Sequence, residues 1–592
     1  MINSVKINTE KIFEGLGVSP GIGFGKAHIL ESGTRDVVEY FIPDDKIRDE
    51  LDRFEVALTE SVSQLDKLRQ KASALPEAAA EELGYMLDAH IHMLKGSRLV
   101  RGIETYIQNH GVNAEAAVKH VLVDITKGFK ALDDAYIASR QSDIHQVAGR
   151  VLRNLTNTEH QSLKDLSDDS IVIAEELTPA DTALMHPASV AGFCTLLGGP
   201  ESHTAIMARA LGIPAVLGAG ELVGEVGAGD SLIIDGGRGK VIVNPSDKTL
   251  AYYHKQAAQI QEDISRLSHL RNRQAITNDG VKVTLEANVE LPLEAELVKE
   301  NGGEGIGLLR SEFMFMNRET LPSEDDQYEI FRDFLLQMYG KPVTVRTLDI
   351  GGDKMAQSLI KDFGDSICSP LGMRGVRLSL NRPDILETQY RAILRAGVHG
   401  PIRILLPMVT SVDDVRQARR ILHAVAAKMR HDGIELPQYL PPLGAMIEVP
   451  GAALAADALA KVCEFFAIGS NDLTMYTLAT DRADEKVAHL YDPLHPAVLR
   501  LIQFTAQAAI RNDIPVSLCG EMAGNPKYSA LLIGLGIRDL SMGASSIPRV
   551  KQRIMNIEAT AACAHTDTVM TQTDQARIAM MLESFNSHFN KA

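Results

Sequence analysis

Charged and polar residues recur at the ends of apolar runs in the C-terminal half of the chain. Arg310 and Glu312 follow GIGLL, and Arg346 and Asp349 lie in VTVRTLDI, ahead of Lys354. Glu448 ends LGAMIE, Ser470, Asn471 and Asp472 follow FFAIG, and Cys519 and Glu521 end PVSLCGE. Arg310, Arg346, Lys354, Arg374 and Arg482 are cations that match the oxygens of phosphate and carboxylate groups. Glu448 and Asp472 offer hard oxygen ligands for a cation such as Mg²⁺. One arginine at a strand end reads as a surface ion pair. This pool, spread over separate strand ends, reads as a site for a small, multiply charged anion held with a metal.

A second motif, GGPESHTAIMARALGIPAVLG, spans residues 198–218. Gly198 and Gly199 permit a tight turn, Ser202 is a good N-cap, and HTAIMARAL continues as a helix. His203 falls on the first helical turn, where free N–H groups and the helix dipole stabilise an anion and favour the neutral, nucleophilic imidazole.

These residues need a scaffold. From about residue 278 to the end, strand-like runs alternate with helix-length segments: KVTLEANV, GIGLLR, VTVRTLDI, IRILLPMV, LGAMIEV, FFAIGS and PVSLCGE, with a weaker run at RGVRLSL. Eight such units predict a (β/α)8 barrel, whose strand ends meet at one mouth. Upstream, KAHIL reads as a strand after a Gly- and Pro-marked turn region. Ile47, Leu51, Phe54, Leu58, Val62, Leu65 and Leu68 then recur at helical spacing. Helical patterns continue through 79–107, 113–132 and 134–155. Short β-rich runs (SIVIAEEL, AGFCTLL, PAVLG, SLIIDGG and KVIVNP) follow, the last two joined by the GGRG hairpin signal. The expected organisation is α/β and multidomain. An α/β domain comprises residues 1–34 and 158–245, a helical bundle is inserted at 35–157, a polar linker helix covers 246–277, and the barrel covers 278–592.

The 592 residues are 45% hydrophobic and 23% charged, as in globular proteins with sizeable cores. A net charge of −17 argues against a nucleic-acid surface and against anionic membranes. The N-terminus lacks the pattern of a signal peptide, and no long apolar run spans a membrane. Cys194, Cys368, Cys463, Cys519 and Cys563 are scattered, as expected for reduced thiols in a cytoplasm.

Taken together, the motifs resemble Enzyme I of the bacterial phosphoenolpyruvate:sugar phosphotransferase system over nearly the whole chain. GGPESHTAIMAR is similar to that family's phosphohistidine signature, which places the phosphorylated residue at His203. GIGLLRSEFMF, VRTLDIGGDK, LGMRGVR, MIEVPGA, FFAIGSNDLTMYTLATDR and LCGEMAG resemble its phosphoenolpyruvate-binding barrel. The resemblance implies that Arg310, Arg346, Lys354, Arg374, Asn471, Asp472 and Arg482 hold phosphoenolpyruvate. It further implies that Glu448 and Asp472 hold Mg²⁺, and that Cys519 protonates the enolate of pyruvate. The helical insertion resembles the domain that docks HPr, the phosphocarrier protein. Arg140 and Asp143, in YIASRQSDIHQVAGRVL, match residues near the phosphohistidine, and Thr178 matches the residue that orients its imidazole. His145 stands where the family often carries Arg, and Lys95-Gly96 stand where acidic residues are common. A homodimer through the barrel and a swinging α/β domain are implied as well.

Two other readings share these modules. A dikinase or phosphoenolpyruvate synthase would need an added ATP-binding domain, and no glycine-rich nucleotide loop precedes the α/β unit. A regulatory phosphoenolpyruvate sensor would bind without becoming phosphorylated.

Overall fold

The computed structural model describes residues 10–589 apart from 31–38, 73–86, 88–89, 96, 131–143, 145–146, 153, 157–168, 176, 178–188, 199–202, 223–224, 293, 316–319, 350–368, 370 and 482–485. Two compact units divide the chain, residues 1–262 and 263–592.

The first unit contains an eight-stranded mixed sheet. Its strands are β1 (Lys11–Glu14), β2 (Leu16–Ser19), β3 (Ile22–Leu30), β4 (Ser170–Ala174), β5 (Val190–Thr195), β6 (Ala215–Leu217), β7 (Ser231–Asp235) and β8 (Lys240–Val243). Their order in the sheet is β1-β8-β7-β3-β4-β5-β6-β2. β3 pairs in parallel with β4, Lys26 opposite Ser170, and antiparallel with β7, Ile22 opposite Asp235. The region 15–21, expected as turns, instead contributes β2, which pairs antiparallel with β6. The preceding strand in sequence, β1, unmarked by any periodicity, lies against β8 at the opposite edge. Strands of four residues flanked by glycine carry too little alternation to be told from turns.

Between β3 and β4 runs a helical section with its own core. Helices span Ile47–Ala72, Arg98–His110 and Ala114–Lys130. Phe54, Leu65, Ile103, Ile107, Val118 and Leu152 are among its buried residues. Ser97 caps the second helix by accepting from the Val100 N–H at 3.4 Å. Gly111, at φ +61°, ends it in the left-handed region before the next helix begins. Parts of the helices expected at 79–107 and 134–155 lie outside the described residues.

The polar segment after β8 forms the helix Asp247–Ser268. In the second unit follow β9 (Ala275–Ile276), β10 (Lys282–Val289), β11 (Ile306–Arg310), β12 (Val343–Arg346), β13 (Ile402–Leu406), β14 (Leu443–Ile447), β15 (Phe466–Ile468), β16 (Val516–Leu518) and β17 (Asp539–Met542). β10 to β17 are parallel neighbours in sequence order, and β17 pairs back onto β10, so the barrel closes with eight strands. RGVRLSL is not one of them. Gly375–Asn381 is a helix entered through Gly375 at φ +58°, and the eighth strand is β17. A large apolar shell packs the outer helices on the strands. Leu308, Leu405, Met446, Phe465, Ala467 and Cys519 form a separate small cluster.

Candidate active site

Each barrel strand delivers its last residues to the same end, and there the sequence-marked residues collect. Arg310 is the last residue of β11, and its Nη1 pairs with the Glu290 carboxylate, which follows β10. Arg346 is the last residue of β12. Its Nε and Nη2 reach Glu312 Oε1 at 3.2 and 3.0 Å, and its Nη1 reaches Asp349 Oδ2 at 3.3 Å. Arg374 grips the same Asp349 with two donors, Nε to Oδ1 at 3.0 Å and Nη2 to Oδ2 at 2.9 Å. Its Nη1 donates to the Tyr476 hydroxyl at 3.3 Å. The guanidinium groups are thus aimed before any ligand arrives.

The electrostatics follow from burial. Desolvation disfavours the Arg346 cation, but Glu312 and Asp349 outweigh it, and its pKa is raised. Arg374 is raised in the same way, mainly by Asp349 acting against burial. Asp349 is pulled below the usual carboxylate range because Arg374 and Arg346 overcome its own desolvation.

Glu448 follows β14 and is buried, with Oε1 accepting from the Met408 N–H at 2.6 Å. Burial, then the nearby carboxylates of Asp472 and Asp349, push its pKa well up. Asn471 and Asp472 lie on the first turn of the helix Ser470–Leu478 after β15. The Asn471 amide exchanges two hydrogen bonds with Glu521: Nδ2 to Oε1 at 3.1 Å, and the Glu521 N–H to Oδ1 at 3.0 Å. Cys519 follows β16, and its thiol donates to the Ile468 carbonyl at 3.5 Å. Burial, followed by Glu448, pushes that thiol up to about 12, so it stays protonated at neutral pH.

The structure therefore brings together Arg310, Arg346, Arg374, Glu448, Asn471, Asp472 and Cys519. Lys354, Arg482, Thr178, Arg140 and Asp143 lie outside the described residues, as does His145. His203 opens the helix His203–Leu211, and its side chain is outside the description; upstream, Gly198 has φ +116°. That helix is anchored by Ala205 and Ala208 in the core and by Thr204 Oγ1 donating to the Leu177 carbonyl at 2.9 Å.

Several residues of the mouth were not assigned roles from sequence. Asn288, on β10, donates Nδ2 to the Cys519 carbonyl at 2.9 Å and accepts from Ser541 Oγ of β17 at 2.6 Å. Glu290, Glu312 and Asp349 are the carboxylates that hold the arginines. A signal for Asn288 existed: Thr284, Glu286 and Asn288 alternate along KVTLEANV and so share one strand face. Among the described residues, no cluster of three or more His, Cys, Asp or Glu is arranged to hold a metal ion. No described helix is long and apolar enough to cross a membrane.

An enzyme that handles a phosphorylated carboxylic acid is the class that this barrel and its arginines define. Residues 265–559 match the family described as PEP-utilising enzyme, PEP-binding domain; 166–239 match the mobile domain and 14–140 the N-terminal domain of PEP-utilising enzymes. A phosphoenolpyruvate-protein phosphotransferase of Priestia megaterium is 38% identical over 97% of this chain and 99% of its own length. Its counterpart from Haemophilus influenzae is 36% identical over the same shares. An NMR solution structure of Enzyme I (nEIt) is 35% identical, covering 42% of this chain and 99% of its own, with a TM-score of 0.35. This chain belongs to the phosphoenolpyruvate-protein phosphotransferase family.

Proposed function

We propose that the protein takes the phosphoryl group of phosphoenolpyruvate onto His203, releases pyruvate, and hands the group to a histidine of the small carrier HPr. One observation carries this reading: Arg310, Arg346 and Arg374 are held by carboxylates at the barrel mouth beside a thiol that burial keeps protonated. The first feature suits the two anionic groups of the substrate; the second suits its enolate product.

Arg310, Arg346, Lys354, Arg374, Asn471, Asp472 and Arg482 bind phosphate and carboxylate. Glu448 and Asp472 fit Mg²⁺: Glu448 is pushed up by burial and then by facing other carboxylates, an arrangement that a hard cation relieves. A site with two protein carboxylates suits an ion that keeps substrate oxygens and waters in its shell. Bound there, Mg²⁺ would neutralise charge on the phosphoryl and enolate oxygens. The neutral imidazole of His203 attacks phosphorus in line. A P–N bond forms as the P–O bond to the enolate breaks, and the enolate carbon takes its proton from Cys519. Thr178, Arg140 and Asp143 support the phosphohistidine.

In this reading residues 1–34 and 158–245 form the phosphohistidine domain, 35–157 dock HPr, 246–277 link, and 278–592 bind phosphoenolpyruvate. The protein works in the cytoplasm as a homodimer through the barrel. Its relatives at 36–38% identity share a phosphotransferase name, which disfavours the dikinase and sensor alternatives. Incubation with phosphorus-labelled phosphoenolpyruvate and Mg²⁺ is the test. Label should appear on the chain and move to added HPr; a chain that binds the substrate and stays unlabelled would sink the proposal.

A further inference from the structure

The three arginines of the mouth are not held alike. Arg346 and Arg374 have side chains only 12% and 17% exposed, and both lean on Asp349, whose side chain is fully buried. Arg346 also leans on Glu312, which is 14% exposed. These carboxylates are fixed from below. Glu312 Oε1 also accepts from the Asp349 N–H at 3.1 Å. Arg310 differs. Its side chain is 40% exposed, and its partner Glu290, itself 17% exposed, sits in the connection between β10 and the helix Glu294–Glu300. The backbone of that connection is anchored, since Glu294 Oε2 accepts from the N–H groups of Glu290 and Leu291 at 2.6 and 2.7 Å. The Glu290 carboxylate itself is held by Arg310, so a change of rotamer frees it while the backbone stays in place.

Charge at the mouth sharpens the point. Among the described residues, Arg310, Arg346 and Arg374 face Glu290, Glu312, Asp349, Glu448 and Asp472. Among these described groups the carboxylates outnumber the guanidinium groups, so an incoming anion competes with them for the arginines. Glu312 and Asp349 cannot leave without stripping two buried arginines of their partners, and Glu448 is tied to the Met408 N–H. Glu290 pairs with Arg310 alone of the three arginines, so its departure leaves the Arg346 and Arg374 pairs intact.

We propose that Glu290 is a built-in competitor for the substrate's anionic group at Arg310: its carboxylate occupies the guanidinium in the free protein, and the incoming anion displaces it. The inference rests on the barrel mouth being the phosphoenolpyruvate site. Glu290 thereby sets how tightly the substrate is held and screens out weakly charged anions that cannot displace a carboxylate.

The test uses the full chain with His203→Ala, in which phosphoenolpyruvate binds without reacting, and calorimetric titration with that ligand. Adding Glu290→Gln should tighten binding about two- to fivefold, the range for a partly exposed ion pair released from competition. Glu290→Ala, which removes the carboxylate without its isosteric amide, should tighten it likewise. In an added Arg310→Gln background, the Glu290 change should alter affinity by less than about twofold, because the competition acts through Arg310. Weaker or unchanged binding in Glu290→Gln would overturn the proposal in favour of a residue that merely positions Arg310. Equal tightening without Arg310 would overturn it in favour of general relief of negative charge. A native chain that takes no label from phosphoenolpyruvate sinks the parent reading instead, a result read on a different protein and assay.

Discussion

The side-chain amide of Asn288 donates to the backbone carbonyl of Cys519 at 2.9 Å, linking the first strand of the barrel to the residue after its seventh. The amide cannot drift, because Ser541 Oγ donates to its oxygen at 2.6 Å. On the other side, Asn471 holds Glu521. Gly520 lies between them, where a Cβ would stand 1.8 Å from Ser470 Oγ. The segment carrying the proposed acid is thus clamped by two asparagines and packed so closely that only glycine fits. Asn288→Ala should slow pyruvate formation about three- to tenfold, the loss of one neutral hydrogen bond. Affinity for phosphoenolpyruvate should stay near that of the native chain. Single-turnover kinetics would check this, and unchanged turnover would show that the clamp is redundant.

Cys519→Ala removes the proton donor itself. Pyruvate release should fall about 10²–10⁴-fold, the usual contribution of a general acid, with phosphoenolpyruvate affinity changed only several-fold. Full turnover in that variant would assign the proton to water or another group. Because the thiol is pushed up to about 12 by burial, Cys519 of the folded protein should also resist iodoacetamide at pH 8. Mass spectrometry of the alkylated peptides reads that outcome directly.

His203→Ala should abolish self-phosphorylation and keep phosphoenolpyruvate binding, because the charged groups assigned to the substrate lie on the barrel. Calorimetry and labelling answer the two halves separately. Phosphate still appearing on the variant would move the phosphorylated residue elsewhere.

Glu286 predicts a pH effect on stability. It is 2% exposed on β10, and burial raises its pKa from 4.5 to about 7 despite Arg403, whose Nη1 lies 3.8 Å from Oε1. A carboxyl raised in the folded state binds its proton more tightly there than in the unfolded chain. Its contribution is therefore complete below about pH 4.5 and is lost as pH climbs through 7. The loss has a slope of at most about 1.4 kcal/mol per pH unit. Denaturant melts of native protein and Glu286→Gln between pH 5 and 8 should converge at the acid end and separate at the alkaline end, the variant being the more stable. Parallel curves would mean that Glu286 stays ionised in the barrel.

A fragment of residues 1–262 retains the helical core and both faces of the α/β sheet. It should accept a phosphoryl group from phospho-HPr and none from phosphoenolpyruvate. The product is a phosphoramidate, so its label should be lost in acid and kept in alkali. A folded fragment that takes no label from phospho-HPr would refute the docking role of residues 35–157.

Much of this was legible in the chain. Seven barrel strands announced themselves as apolar runs because their flanks pack under helices. The eighth did not, since Asp539 and Ser541 of β17 alternate with Leu540 and Met542 in only four residues. Ser541 is polar because it bonds Asn288, a partner 253 positions away that no local pattern reveals. The arginines were conspicuous by type and spacing. Glu312 and Asp349 stood out beside them at the run ends, but Glu290 looks like any acidic residue until the barrel closes around it. RGVRLSL misled through its alternating Val376, Leu378 and Leu380; Gly375, in the left-handed region, instead starts a short helix there.

The interleaved strand order of the first unit also has a temporal side. β3 lies in the sheet between β4 and β7, yet Ile22 leaves the ribosome 213 residues before its partner Asp235 (235 − 22). At about 5–20 residues per second, that strand waits roughly 10–40 s for its neighbour. The helical section encoded in between holds its contacts locally and can condense meanwhile, since helix formation and packing take microseconds to milliseconds. The helical section, with a core of its own, therefore has time to condense before β7 emerges to complete the pairing of β3.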